Sequence, residues 1–238
     1  MKAILLAAGR GERMRPLTDH CPKPLLEVRG KALIEWHLEA LARSGVEEAI
    51  VNTAWLEERI MARLGDGARF GLRITYSPEG RDHGGALETA GGLKKALPLL
   101  TAGGHEYAAF WYVAADAYAP GFPFDARDAQ RLNASGLLGH LWMVRNPPQH
   151  AEGDFGIESG LACAGQEGQR FTWSGLALFT PGFVTQLMTD FAAGTKARMR
   201  PYLDAAIARR QLSAQMIATP WADVGTPQRL AELNRRAC

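Results

Sequence analysis

Residues 1–25 read MKAILLAAGRGERMRPLTDHCPKPL, and the reading of this stretch decides the fold. Ile4, Leu5 and Leu6 form an apolar run without polar alternation, which fits a strand buried on both faces, as in a parallel sheet covered by helices. The run passes directly into Ala7-Ala8-Gly9-Arg10-Gly11, where small residues let backbone N–H groups approach a ligand closely. Arg10, Arg13, Arg15 and Lys23 then crowd together, with Glu12 and Asp19 opposing them. A small-residue turn at the C-terminal end of a strand, followed by cations, suits a polyphosphate. Gly9 and Gly11 alone are weak support, because a chain reversal between strand and helix uses glycine too. A dinucleotide fingerprint needs a third glycine where Met14 stands. A Walker loop needs Gly-Lys-Ser/Thr at its end, and no such tripeptide follows.

Outward from this stretch, strand and helix patterns alternate. Residues 31–44 carry apolar positions at broadly helical spacing and end at Gly45, a suitable residue just past a helix. Residues 48–52 predict a second strand, 56–64 a helix closed by Gly65-Asp66-Gly67, and 72–76 a third strand. Residues 77–86 read as a loop, followed by a helix from Leu87 through Leu97. Residues 107–113 form an aromatic apolar run, a central strand ending at Ala114-Ala115-Asp116. Such alternation predicts a mostly parallel sheet with right-handed crossovers. Further on, strands are expected at 137–144, 154–158, 170–173 and 176–179, and helices at 183–191, 201–210 and 228–236. No repeat, low-complexity tract or linker divides the chain, so one domain over 1–238 is expected.

With 238 residues, 47% hydrophobic and 22% charged, the composition is that of a soluble globular domain. A net charge of +2 gives no support to nucleic-acid binding. The cysteines (Cys21, Cys163, Cys238) are odd in number, widely spaced and lack a C-x-x-C, which points to reduced thiols rather than a disulfide framework or zinc site. The apolar runs are too short for a secretory or membrane-spanning segment, and the expectation is a cytoplasmic protein without membrane partners. Nothing resembles an assembly seam, so a monomer is expected.

Transfer of a phosphoryl or nucleotidyl group needs charge neutralisation and in-line positioning more than a protein nucleophile. Two carboxylates stand where a divalent metal would be useful. Asp116 follows an apolar strand and should emerge at the sheet's C-terminal edge, beside the N-terminal loop; capping the next turn is its bland alternative. Asp223 lies in Trp221-Ala222-Asp223-Val224-Gly225-Thr226-Pro227. Thr226, ahead of Pro227, is the better helix cap, which leaves Asp223 without an obvious structural duty.

Taken whole, the opening stretch resembles the signature of the sugar-1-phosphate nucleotidyltransferases, L-A-A-G-x-G-x-R-[ML]-x-P-L-T followed by K-P. It is carried here by Leu6 to Gly9, Gly11, Arg13-Met14, Pro16 to Thr18 and Lys23-Pro24-Leu25. The resemblance implies a Rossmann-like three-layer α/β fold with a mixed, mostly parallel sheet. Residues 1–120 would form its nucleotide half, and 121–238 a small sugar-binding half that adds the second metal ligand. It also implies Mg²⁺ held by Asp116 and Asp223, Arg13 at the β/γ-phosphates and Lys23 at the α-phosphate, these two cations serving catalysis. The nucleotide would be received by Ala7, Ala8, Gly9, Gly11, Ser77, Glu79, Thr89 and Ala90, and the sugar phosphate by Asn146, Gly153, Asp154 and Ser174. The segments around Tyr76 to Gly80, Leu87 to Thr89, Asn146 to Phe155 and Ser174-Gly175 resemble the uridylyltransferase branch that acts on N-acetylmuramate 1-phosphate. This implies UTP as donor and a place in cell-wall sugar metabolism. Thymidylyl- or guanylyl-transfer to a hexose 1-phosphate, cytidylyl-transfer to phosphocholine, and a non-catalytic nucleotide-sugar sensor are the alternatives.

The chain departs from the family pattern in three places. Ala114-Ala115-Asp116 stands for the usual N-G-D, Ala90 stands for a glycine, and residues 81–86 look like a short insertion. The methyls of Ala115 and Ala90 are expected to crowd the base or ribose.

Overall fold

In a computed structural model that describes residues 1–166 and 169–235, the apolar run is strand β1 (Lys2–Leu6), at the centre of the chain's first half. The chain continues through α1 (Leu17–His20), a hairpin of β2 (Glu27–Val28) and β3 (Lys31–Ala32), α2 (Leu33–Arg43), β4 (Glu48–Thr53) and α3 (Glu57–Leu64). It then forms β5 (Arg73–Pro78), α4 (Glu79–His83), α5 (Glu88–Thr101), β6 (Phe110–Ala114) and β7 (Ala117–Tyr118). The second half contributes α6 (Ala126–Ser135), β8 (Gly139–Val144), β9 (Gly156–Glu158), β10 (Leu161–Cys163) and β11 (Thr172–Phe179). It closes with α7 (Pro181–Leu187), α8 (Arg200–Ala208), β12 (Leu212–Met216), β13 (Ala222–Asp223) and α9 (Pro227–Arg235).

Among the described residues, nine strands form one mixed sheet in the order β5-β4-β1-β6-β11-β8-β12-β10-β9. The first four run parallel, and β11 enters antiparallel between β6 and β8. Side chains alternate across each strand, and the alternation sorts them into two cores. Ala3, Leu5, Trp111, Val113, Leu176 and Leu178 face α2, α3 and α6. Ile4, Phe110, Tyr112, Ala177 and Phe179 face α5, α7 and α8. The result is a three-layer α/β domain, as the resemblance implied. Helix α2 shows the matching helical periodicity, burying Ile34, Leu38 and Leu41 at intervals of four and three on one face.

A third cluster fixes the loops at the sheet's C-terminal edge. Met14 and Leu33 pack with Tyr118, Val224 and Leu230, so the signature loop, β7, β13 and α9 share one apolar seat. Strand β13 pairs antiparallel with β7, setting Asp223 opposite Ala117. Residues from both ends of the chain are thereby brought to one edge.

Several elements differ from expectation. The two strands read at 170–173 and 176–179 are one strand, β11, whose register against β8 shifts between Trp173 and Ala177, around Ser174-Gly175. The stretch 77–86 contains the helix α4. Helix α6 and strands β10 and β12 add to the expected elements: α6 buries only Ala129 and Leu132, β10 has three residues, and β12 is built of residues without strong strand preference, so none has a strong sequence signal. The end of the closing helix expected at Arg236, like Cys238, lies outside the described residues. Cys21 and Cys163 are free thiols. Among the described residues, no helix is long and apolar enough to cross a membrane.

Candidate active site

Parallel neighbours on both sides of β1 send their following loops apart, which opens a crevice at the C-terminal ends of β1 and β6. A cavity of about 500 Å³ occupies it, walled by Ala7, Ala8, Gly9, Gly11, Lys23 and Thr89. A second cavity, about 300 Å³, lies toward the other half of the chain and is walled by Arg13, His150, Trp173, Ser174, Gly175 and Asp223. The two share Ala114 and Asp116. Asp116 therefore stands at a junction between two chambers.

The loop's shape follows from its small residues and from Thr18. Gly11 has φ 68°, and a Cβ there would lie 3.0 Å from Thr18 Cγ2 and 3.2 Å from Lys23 Cβ. Only glycine takes that conformation without strain. The Gly11 carbonyl accepts from Met14 N (2.9 Å) and Thr18 Oγ1 (2.8 Å), closing the loop on itself. Arg10 is spoken for: it donates to Thr18 O and Asp19 and lies over the Trp55 ring at 3.6 Å.

Lys23 is buried and its Nζ sits 2.6 Å from Asp116 Oδ2. Burial alone would raise the Asp116 carboxyl. The Lys23 ammonium, with a smaller share from Arg13, instead holds it below its ordinary value, so it is ionised at neutral pH. The strand just beyond Asp116 is pinned by His37, wholly buried, whose Nε2 lies 2.7 Å from Ala117 O. Desolvation pushes the His37 pKa down and keeps the ring neutral, so Nε2 carries the proton it donates.

Asp223 proves to have a structural partner: Arg229 Nη1 of α9 grips its Oδ2. Gly225 leaves room for this carboxylate, since a Cβ there would come 2.9 Å from Oδ2. Thr226 Oγ1 accepts from Arg229 N (3.3 Å), the capping duty read from the sequence.

On the smaller cavity's wall, Ser174 Oγ donates to Trp142 O (2.7 Å) and accepts from Leu176 N (3.1 Å). Trp221 Nε1 donates to Ser174 O (2.9 Å), and Gly175 (φ 80°) brings its backbone against Ala114. Trp173 stacks on Tyr112 with ring centroids 5.4 Å apart. Asn146, Gly153 and Asp154 do not reach the cavity wall. Asn146 donates to Ala151 O and Arg170 O, and Gly153 is packed on its amide. Asp154 accepts from Trp173 N (2.8 Å) and pairs with His150 Nε2 (3.2 Å). These three residues brace the loop that presents His150 and Trp173.

Ser77 and Glu79, expected to receive the nucleotide, are buried and do not line the larger cavity. Ala90 and Ala115 are fully buried in the two cores, so neither methyl faces the cavities, contrary to expectation. Ala114, by contrast, lines both. Gly91 and Ala90 donate from the start of α5 to Ala197 O, which straps residues 195–199 across that helix start. Sequence reasoning missed Asn52, Glu88 and Lys196, which also line the larger cavity. Asn52 carried a usable signal, a polar residue closing the buried run Ile50-Val51.

The donor set suits Mg²⁺. Asp116 at the junction and Asp223 on the smaller cavity's wall offer hard oxygen ligands to one cavity. Among the described residues no group of three or more His, Cys, Asp or Glu side chains could hold an ion alone. Phosphate oxygens and water would have to complete the shell, which is how Mg²⁺ is usually bound.

Comparison with known proteins places these features. The nucleotidyl transferase family profile matches residues 2–157. The chain is 42% identical over 235 residues to the N-acetylmuramate alpha-1-phosphate uridylyltransferase of Neisseria meningitidis, covering 98% of this chain and 96% of that protein. It is 27% identical over 238 residues to a glucose-1-phosphate thymidylyltransferase of Mycolicibacterium smegmatis, covering 95% and 78%. A Bacillus anthracis crystal structure in complex with sucrose, assigned as a glucose-1-phosphate thymidylyltransferase, superposes with a TM-score of 0.81 at 19% identity. It covers 100% of this chain and 96% of that one, and establishes likeness of fold alone.

Proposed function

The chain belongs to the nucleotidyl transferase family, and from that premise we propose that it transfers UMP from UTP to N-acetylmuramate 1-phosphate, releasing pyrophosphate. The observation that carries this reading is the pair of chambers meeting at Asp116, with Lys23, Arg13 and Asp223 around the junction. A donor nucleotide in the larger chamber and a sugar phosphate in the smaller one would meet there. A sugar-phosphate oxygen attacks the α-phosphorus in line, the bond from that phosphorus to the bridging β-oxygen breaks, and the electron pair leaves with pyrophosphate. The full-length likeness to the Neisseria protein supports uridine and N-acetylmuramate over the other bases and sugars.

The residues of the two chambers divide the work. Backbone groups at Ala7, Ala8 and Gly9, with Thr89 opposite, receive the nucleotide. The Lys23 ammonium lies against the α-phosphate, where negative charge must be held while the bonds exchange. Arg13 lines the smaller chamber, and from there it would steady the phosphates that reach the junction. The braced His150–Trp173 wall receives the sugar phosphate, and Ser174, whose hydroxyl is engaged by Trp142 O and Leu176 N, shapes that wall from beneath. Asp116 and Asp223 would hold Mg²⁺, which supplies charge neutralisation at the phosphates when bound.

The test is pyrophosphate release with UTP, Mg²⁺ and N-acetylmuramate 1-phosphate. N-acetylglucosamine 1-phosphate, glucose 1-phosphate and the other triphosphates serve as competitors. Turnover fastest with the first pair is expected. Nucleotide binding without turnover of any pair would leave the sensor reading instead.

A further inference from the structure

At the floor of the larger chamber, where Asn52 forms part of the lining, lies a chain of buried hydrogen bonds that reaches down to Glu79. Ala7 N donates to Asn52 Oδ1 at 2.6 Å, Asn52 Nδ2 donates to Glu79 Oε1 at 2.7 Å, and Leu87 N donates to Glu79 Oε2 at 2.7 Å. Glu79 has no solvent exposure, and Asn52 is 2% exposed. The first link ends on the signature loop, one residue from Ala8. The last ends immediately before Glu88 and Thr89 on the opposite wall. Gly92 of α5 is the residue that makes room: a Cβ there would lie 2.5 Å from Glu79 Oε1 and 2.6 Å from Asn52 Nδ2.

We propose that Asn52 and Glu79 are positioning residues for the nucleotide, a two-side-chain relay that sets the distance and tilt between the two backbone walls that receive the base. This rests on the nucleotidyl-transfer reading above. A buried carboxylate is costly unless its oxygens are matched by donors, and here both oxygens are matched, while an apolar pair would leave the buried Ala7 and Leu87 N–H groups without acceptors. What the relay supplies is direction. Each oxygen accepts from one wall only, through Asn52 toward Ala7 and directly toward Leu87, so neither wall can shift without breaking a short buried bond. The unread role of Glu79 follows from its place: it acts under the wall, through backbone, without touching the nucleotide.

The polarity of the relay gives an internal control. In Glu79→Gln the new amide group must face either Asn52 Nδ2 or Leu87 N, so one donor meets a donor. In Asn52→Asp two carboxylate oxygens face each other where amide met carboxylate. The exchanged pair Asn52→Asp with Glu79→Gln restores every link. The carboxylate now at position 52 accepts from Ala7 N and from the amide nitrogen now at position 79, whose amide oxygen accepts from Leu87 N. All three variants keep side-chain size.

Equilibrium UTP binding, melting temperature and the KM of each substrate are measured on the parent and the three variants. Each single substitution is expected to weaken UTP binding about tenfold to a hundredfold, the usual effect of one buried donor or acceptor left unmatched. The KM for N-acetylmuramate 1-phosphate should hold within about twofold. The exchanged pair should recover UTP affinity to within a few-fold of the parent. Single variants that bind UTP as the parent does would overturn the relay. So would an exchanged pair that regains the parent melting temperature yet binds as weakly as the singles, or equal losses for both substrates. A parent that binds UTP but turns over no pair overturns the transferase reading while the binding series still decides the relay. A parent that binds no UTP overturns both.

Discussion

Replacing Lys23 by methionine removes one ammonium and little else, because the stem that packs beside Gly11 is kept. The ammonium has three N–H donors; Asp116 Oδ2, at 2.6 Å, engages one of them, which leaves the others for phosphate oxygens. A unit charge about 4 Å from a phosphate oxygen, at an effective dielectric of about 20, is worth roughly 4 kcal/mol. Asp116 offsets part of that in the resting protein, so the loss should fall at or below this figure. Loss of a single preorganised donor costs about 10²- to 10³-fold in turnover. The expectation for Lys23→Met is a kcat lower by about that factor. The KM for the sugar phosphate should change little, since the ammonium lies on the nucleotide-side wall.

Stability should barely move in the same variant. The Asp116 side chain is 44% exposed, so the carboxylate left behind can be hydrated, and partly exposed pairs contribute about 1 kcal/mol or less. Steady-state kinetics in each substrate, a single-turnover pyrophosphate measurement and a melting curve separate these effects. Normal turnover with only a raised sugar-phosphate KM would refute the assignment of Lys23 to the nucleotide. A melting temperature lowered by much more than about 5 °C would show the pair to be chiefly structural.

Asp116→Asn and Asp223→Asn should each cost several kcal/mol of transition-state stabilisation, and the double variant little more than the worse single, if both hold one Mg²⁺; Asp223→Asn activity within a few-fold of the parent, read across an Mg²⁺ titration, would remove that residue from the site. Glu48 is buried among Thr75, Arg73 and Lys2, whose hydrogen bonds overcome the upward push of burial and lower its pKa from 4.5 to about 2. Its contribution to stability is therefore full above pH 4.5 and lost as pH falls toward 2, so Glu48→Gln should melt lower at pH 7 and converge with the parent near pH 2, and a gap unchanged at both pH values would refute this. Ala114→Asn places a polar amide where both chambers meet and should raise kcat/KM for UTP by about tenfold, the worth of one hydrogen bond; an unchanged value would show that the amide finds no ligand group.

Much of this arrangement could be read from residue order because the determinants are local. The buried run at Ile4 to Leu6, the small-residue turn after it, and an aspartate closing an aromatic strand each announce themselves within a few positions. What stayed hidden was decided by partners distant in sequence. Glu79 looks like a ligand residue beside Ser77 and Gly80, and only the approach of Asn52, 27 positions earlier, turns it inward. Asn146 and Asp154 carry polar groups suited to a sugar, yet Ala151, Arg170 and Trp173 consume them. Asp223 looks idle in the sequence, and its partner Arg229 grips it only once the next helix has begun.

The departures from the family pattern take on a physical meaning once their surroundings are known. An alanine is tolerated at 115 because that side chain belongs to the core between the sheet and its helices, with no exposure. The same holds at 90, where the methyl lies on the buried face of α5 and the backbone N–H is engaged by Ala197 O at 2.9 Å. Neither change narrows the space for a nucleotide. Ala114 alone among the three alanines reaches both chambers, so of these three substitutions only the missing amide at the junction changes the chemistry of the walls, beside the segment 81–86, whose Ala86 lines the larger chamber. Lys23, Arg13, Asp116 and Asp223 remain grouped around that point, and a site that keeps its charges while losing one neutral hydrogen-bonding group should bind less tightly rather than stop working.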